Sequence, residues 1–134
     1  MSILLLMLTL SAQAGEPVVV VSPNTEVKSL TRKEARQIFT LRRTTWMNGL
    51  PVRLLLPPRN SREMTWLSED VLGLPPDVYQ RFLAEQAYRS GDPIPSSATA
   101  TEVAAAISEA GDSSGVVSVV STPIEPPTVQ VTVQ

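Results

Sequence analysis

The chain has 134 residues, 43% of them hydrophobic and 4% aromatic, with a net charge of −2. That length and apolar content suit one domain whose core is built mostly from Val, Leu, Ile and Ala. There is no Cys and no His, which excludes disulfides, thiol nucleophiles, imidazole acid–base chemistry and zinc sites of the usual kind.

The small net charge conceals a split. Residues 28–62 hold nine of the eleven basic residues and one acid, Glu34, whereas the rest of the chain holds two basic and twelve acidic residues. Such segregation predicts a basic face suited to an anion or an acidic protein surface. Nucleic acid is not an expected partner, because no aromatics interleave with the arginines to stack bases.

Taken in order, the first feature is Ile3–Leu10, ILLLMLTL, an apolar run of signal-peptide length and too short to cross a bilayer. Ala12-Gln13-Ala14 follows as a small-x-small cleavage signature. Residues 1–14 are therefore expected to be a signal peptide, and 15–134 one periplasmic or secreted domain that does not insert in a membrane once the leader is removed. Val18–Val21 reads as a buried strand, and Ser22-Pro23-Asn24-Thr25 as a turn. Thr31 with Glu34 forms a capping box, with Leu30 placed to staple onto Ala35. Ala35, Ile38 and Phe39 then share a helix face while Arg32, Lys33 and Arg36 point elsewhere, and the helix should end near Thr40.

Residues 41–48 are polar and basic, closed by Trp46, read as a core or lid aromatic, and by an Asn48-Gly49 turn. Val52–Leu56 is an apolar run of strand length, ended by Pro57 and Pro58. Asn60 and Ser61 are N-cap residues for a helix from about Arg62 to Leu72, with Met64, Leu67 and Val71 inward and Gly73 at its C′ position. Pro75 and Pro76 open a further helix running to about Tyr88, followed by a loop over Arg89–Ser97. Thr99 and Glu102 form a second capping box for a helix carrying Val103, Ala106, Ile107 and Ala110 and stopped by Gly111. Val116–Val120 reads as a strand, and the alternation in Val129–Val133 as an edge strand. The order β-α-β-α-α-α-β-β indicates an α/β fold of two or three layers.

One stretch could hold a ligand. A strand feeding a helix start gathers free backbone N–H groups and the positive end of the helix dipole. There Ser61 offers a hydroxyl, and Arg59, Asn60 and Arg62 offer further donors, arginine being able to grip an oxyanion in bidentate fashion. The competing reading is a plain N-cap between two exposed arginines. Catalytic material is thin. Glu69 and Asp70 are adjacent and diverge by about 100° on a helix, Ser61 has no histidine to activate it, and no Gly-rich phosphate loop is present. No enzyme activity, metal or cofactor is expected.

The segment LTRKEARQIFTLRRTTWMNGLPVRLLL resembles part of the phosphate-binding substrate-binding proteins. The shared features are the capped helix at Leu30-Thr31 and Glu34, then Ile38-Phe39, Arg42-Arg43, Trp46, Asn48-Gly49 and the strand Val52–Leu56. Arg89-Ser90-Gly91, the helix over Thr101–Ala110 and Gly115-Val116-Val117 are similar to a later part of the same domain. The resemblance covers about 100 residues and implies an α/β fold of the type 2 periplasmic-binding-protein-like class. It implies a single compact domain of about one lobe, with a small mixed sheet flanked by helices. It further implies binding of phosphate or a similar oxyanion for ABC-type uptake or sensing, with a membrane transporter or sensor as partner. Ser61 matches the family's ligand serine and Arg59 lies near its arginine, while Arg62 and Glu63 stand where the family has Gly and Thr. The alternative is an interaction module that keeps the fold, has lost the ligand, and binds an acidic protein through the basic 28–62 face.

Overall fold

The structure, a computed structural model, describes residues 15–121 and 129–133; the expected signal peptide lies outside the described residues. Four β-branched residues in a row give β1 (Val18–Val21), which a 3₁₀ turn at Pro23–Thr25 ends. β2 is the two-residue strand Ser29–Leu30. Helix α1 (Arg32–Phe39) starts at the expected capping box, where Thr31 Oγ1 accepts from the Glu34 amide and the Glu34 carboxylate accepts from the Thr31 amide. β3 (Val52–Leu54) leads to α2 (Arg62–Trp66), which continues directly as a π-helical turn over Leu67–Leu72. Helix α3 (Pro76–Ser90) and helix α4 (Ala100–Ala110) follow, the latter from the second capping box at Thr99 and Glu102. β4 (Gly115–Val120) and β5 (Val129–Val133) complete the sheet.

The five strands lie in the order β2-β5-β1-β4-β3. β1 is antiparallel to β4 and β5, while β2 runs parallel to β5 and β3 parallel to β4. The class is thus mixed α/β. Side-chain alternation along the strands sorts the core onto two faces. Val19 and Val21 of β1 and Val117 and Val119 of β4 pack with Ile38, Phe39, Met64, Leu67, Tyr79 and Leu83 from α1, α2 with its π turn, and α3. Val20, Val116 and Val120 face the other way, onto Val103, Ala106, Ile107 and Ala110 of α4. Helices on both faces settle the layer count at three.

Four sequence readings are corrected. Val129–Val133 is not an edge strand: it is flanked by β1, with Val19 opposite Val131, and by β2, with Ser29 opposite Thr132. Period-2 alternation reports which face a side chain takes, and ladder partners on the flanks leave no mark in it. The edges are β2 and β3. The strand expected over Val52–Leu56 closes its ladder at Leu54, beyond which Leu56 bridges Ser97. The helix expected over Arg62–Leu72 widens after Trp66, and the π winding buries Leu67, Ser68, Val71 and Leu72 together before Gly73 stops it at φ 70°. The helix expected to stop near Tyr88 runs to Ser90, with Gly91 as its left-handed cap.

Candidate functional site

The end of β3 is held by backbone bonds on both sides. Leu55 N donates to Val117 O at 3.0 Å, Leu56 N to Ser96 O at 2.9 Å, and Ala98 N to Leu56 O at 2.8 Å. These bonds carry residues 96–98 alongside the turn that starts α2, so the beginnings of α2 and α4 stand next to each other at one end of the parallel β3–β4 pair. A cavity of about 170 Å³ opens between them, lined by Pro57, Pro58, Glu63, Thr99, Val120 and Ser121 among others. This is the place where open α/β sheets hold ligands, with two helix dipoles turned toward it.

None of the residues singled out from sequence lines this cavity. Ser61 is the N-cap of α2: its Oγ accepts from Met64 N at 3.2 Å and donates to Pro58 O at 2.6 Å. Its hydroxyl is thereby engaged as donor and as acceptor. Arg59, Asn60 and Arg62 are exposed, and Arg62 lies 3.4 Å from the carboxylate of Glu16 in a solvent-facing pair. The charged group that does line the cavity is Glu63, whose carboxylate accepts from Ser121 Oγ at 2.8 Å. Sequence reasoning placed Glu63 near the site. That its carboxylate would reach Ser121 depends on packing across 58 positions of chain.

Several of the remaining cations of the 28–62 segment lie on or just after helix α1, whereas Arg53 of β3 also lines a depression with Glu102 and Glu109 of α4. Lys33 and Arg36 stand one turn apart on α1. Arg42 joins them after Leu41 turns the chain with a left-handed φ of 65°. With Leu72, Leu74 and Phe82 these three line a groove of about 630 Å³. The Arg42 guanidinium sits 6.0 Å from the Phe82 ring centroid, a cation–π contact. Arg43 and Arg53 line a second depression of about 390 Å³ with Asp92 and Gln86, and Arg43 reaches Glu34 at 3.9 Å. Arg32 donates to the backbone oxygen of Asp70. The apolar side of the larger groove had no sequence signal, because Leu72, Leu74 and Phe82 come from segments more than thirty positions beyond α1.

The perturbed acids are structural. The Thr31 backbone N–H, partly offset by desolvation, holds the Glu34 carboxyl below the usual carboxylate value, and Thr99 does the same for Glu102. Burial pushes the Tyr79 phenol far up, and its hydroxyl donates to Phe39 O at 2.7 Å. Among the described residues no three His, Cys, Asp or Glu side chains gather in a metal-binding group, and no helix is long and apolar enough to cross a membrane. Compared with known proteins, the chain matches no family model and no curated protein sequence.

Proposed function

We propose that this chain is an exported, non-enzymatic binding protein on a periplasmic-binding-protein-like scaffold, and that its partner is an acidic protein surface. The observation that carries this reading is a display of cations: Lys33, Arg36 and Arg42 line a groove of about 630 Å³, and among the described residues no carboxylate lines it with them. Long-range attraction to an acidic surface then accelerates encounter and selects against basic partners.

A second reading is capture of a phosphate-like oxyanion beside Ser61, as an uptake or sensing component. It is supported by the two adjoining helix starts, where the amides of Arg62 and Glu63 have no acceptor behind them in the helix. Two features weigh against it. The Ser61 hydroxyl is already shared between Met64 N and Pro58 O, and the adjoining cavity contains the Glu63 carboxylate. The acidic-partner reading therefore ranks first.

Isothermal titration of residues 15–134 separates the two. The expected result is no saturable heat with millimolar phosphate or sulfate, and salt-sensitive binding of a Glu-rich peptide. Saturable 1:1 phosphate binding that Ser61→Ala weakens would reverse the ranking.

A further inference from the structure

The groove of Lys33, Arg36, Arg42, Leu72, Leu74 and Phe82 combines two chemistries that a plain basic surface lacks. Its rim is cationic on one side. Lys33 and Arg36 are exposed on α1, and Arg42 is held against Phe82. Among the described residues none of the three stands within 4.0 Å of a carboxylate, whereas the ion pairs present use Arg43, Arg62 and Arg81. Its other side is apolar: Leu72 is buried beneath it, and Leu74 and Phe82 are half-buried. At about 630 Å³ it falls within the range of volumes that hold specific ligands.

From this we infer that the groove receives an acidic peptide segment carrying an apolar side chain between its acids. The inference rests on the acidic-partner reading and narrows it to one groove and one pattern of residues. Carboxylates on either side of the apolar residue would meet Lys33, Arg36 and Arg42, while the apolar side chain would cover Leu74 and the part of the Phe82 ring that Arg42 leaves open. A small inorganic anion would satisfy the cations and leave the apolar wall wet. A single nucleic-acid strand would need a bare aromatic face to stack on, and Arg42 already covers that of Phe82. The groove's left-handed entry at Leu41 fixes where Arg42 projects, so the cation pattern belongs to the fold rather than to a mobile tail.

The test is fluorescence anisotropy of residues 15–134 with a fluorescein-labelled peptide in which Glu-Asp pairs flank one Leu. Lys33→Glu, Arg36→Glu and Arg42→Glu should each weaken binding roughly tenfold, as expected for charge reversal at close pairs, with Tm unchanged. Arg59→Glu, outside the groove, should leave it within about twofold. Replacing the peptide's Leu by Gly should weaken binding to the wild type. If the peptide binds and Arg59→Glu weakens it as much as Arg36→Glu, the acidic-partner reading stands and the groove assignment is overturned. No binding at all overturns both. Tighter binding of oligothymidine than of the peptide, or self-association that Arg36→Glu abolishes, would assign the groove to nucleic acid or to a second copy and also overturn it.

Discussion

At the residue scale the tightest constraint is Gly115. A methyl group there would stand 2.2 Å from Trp46 Nε1, 2.5 Å from its Cδ1 and 2.6 Å from Thr25 Cγ2. The same residue's carbonyl accepts the Trp46 indole N–H at 2.9 Å, and its N donates to Pro51 O at 2.8 Å. Gly115→Ala must therefore displace the indole or the backbone of β4 at its first residue. Overpacking of this kind costs about 1–3 kcal/mol, and loss of the indole hydrogen bond adds to it. Urea unfolding followed by Trp fluorescence should show the unfolding free energy falling by that amount with a lower midpoint, and an unchanged midpoint would mean that Trp46 has room to move. The glycine's role was not legible in the sequence, where Gly115 opens a valine strand and Trp46 lies sixty-nine positions upstream. Trp46 itself was legible as a core or lid aromatic, because a large amphipathic ring in a polar segment has few other ways to be covered.

At the element scale the helices are set by their caps. Thr31 with Glu34 and Thr99 with Glu102 each satisfy two of the amides a helix start leaves open. Both carboxyls sit below their ordinary value of 4.5, chiefly because a backbone N–H donates to the charged form. A depressed folded-state pKa gives stability that is full above 4.5 and is lost as pH falls through the lower folded value. The pH dependence of unfolding between pH 5 and 3 should therefore flatten in a Glu34→Gln, Glu102→Gln double variant, and Thr31→Ala should lower stability at pH 7 by about 1 kcal/mol. Equal pH slopes in the wild type and the double variant would count against this account. Both boxes were legible in the sequence because capping is local, with donor and acceptor three residues apart. The π turn at Leu67–Leu72 was not, since the winding is decided by which of four side chains find space in the core.

At the scale of the whole molecule, the fold brings two helix starts together and then introduces a carboxylate beside them. Glu63 accepts from Ser121, which lies at the far end of β4. If that carboxylate is what keeps oxyanions from the cavity, Glu63→Gln should gain measurable phosphate binding. Removing one negative charge a few ångströms away is worth roughly tenfold or more. Titration calorimetry of the variant against the wild type would detect this, and no gain in the variant would remove the cavity from consideration as an anion site.

The sequence by itself determined four strands and four helices but neither β2 nor the π winding after Trp66, together with both capping boxes, the buried valine strands and the concentration of positive charge in residues 28–62. Each of these is written within a few residues, as periodicity, a cap or a count. Only the tertiary structure decided that β5 is paired on both sides, that helices cover both faces of the sheet, that the Ser61 hydroxyl is spent on Pro58 and Met64, and that Lys33, Arg36 and Arg42 meet an apolar wall from α3 and the π turn. Those outcomes depend on contacts between distant segments, which are selected by burying the largest apolar area as a whole and leave no local pattern to read.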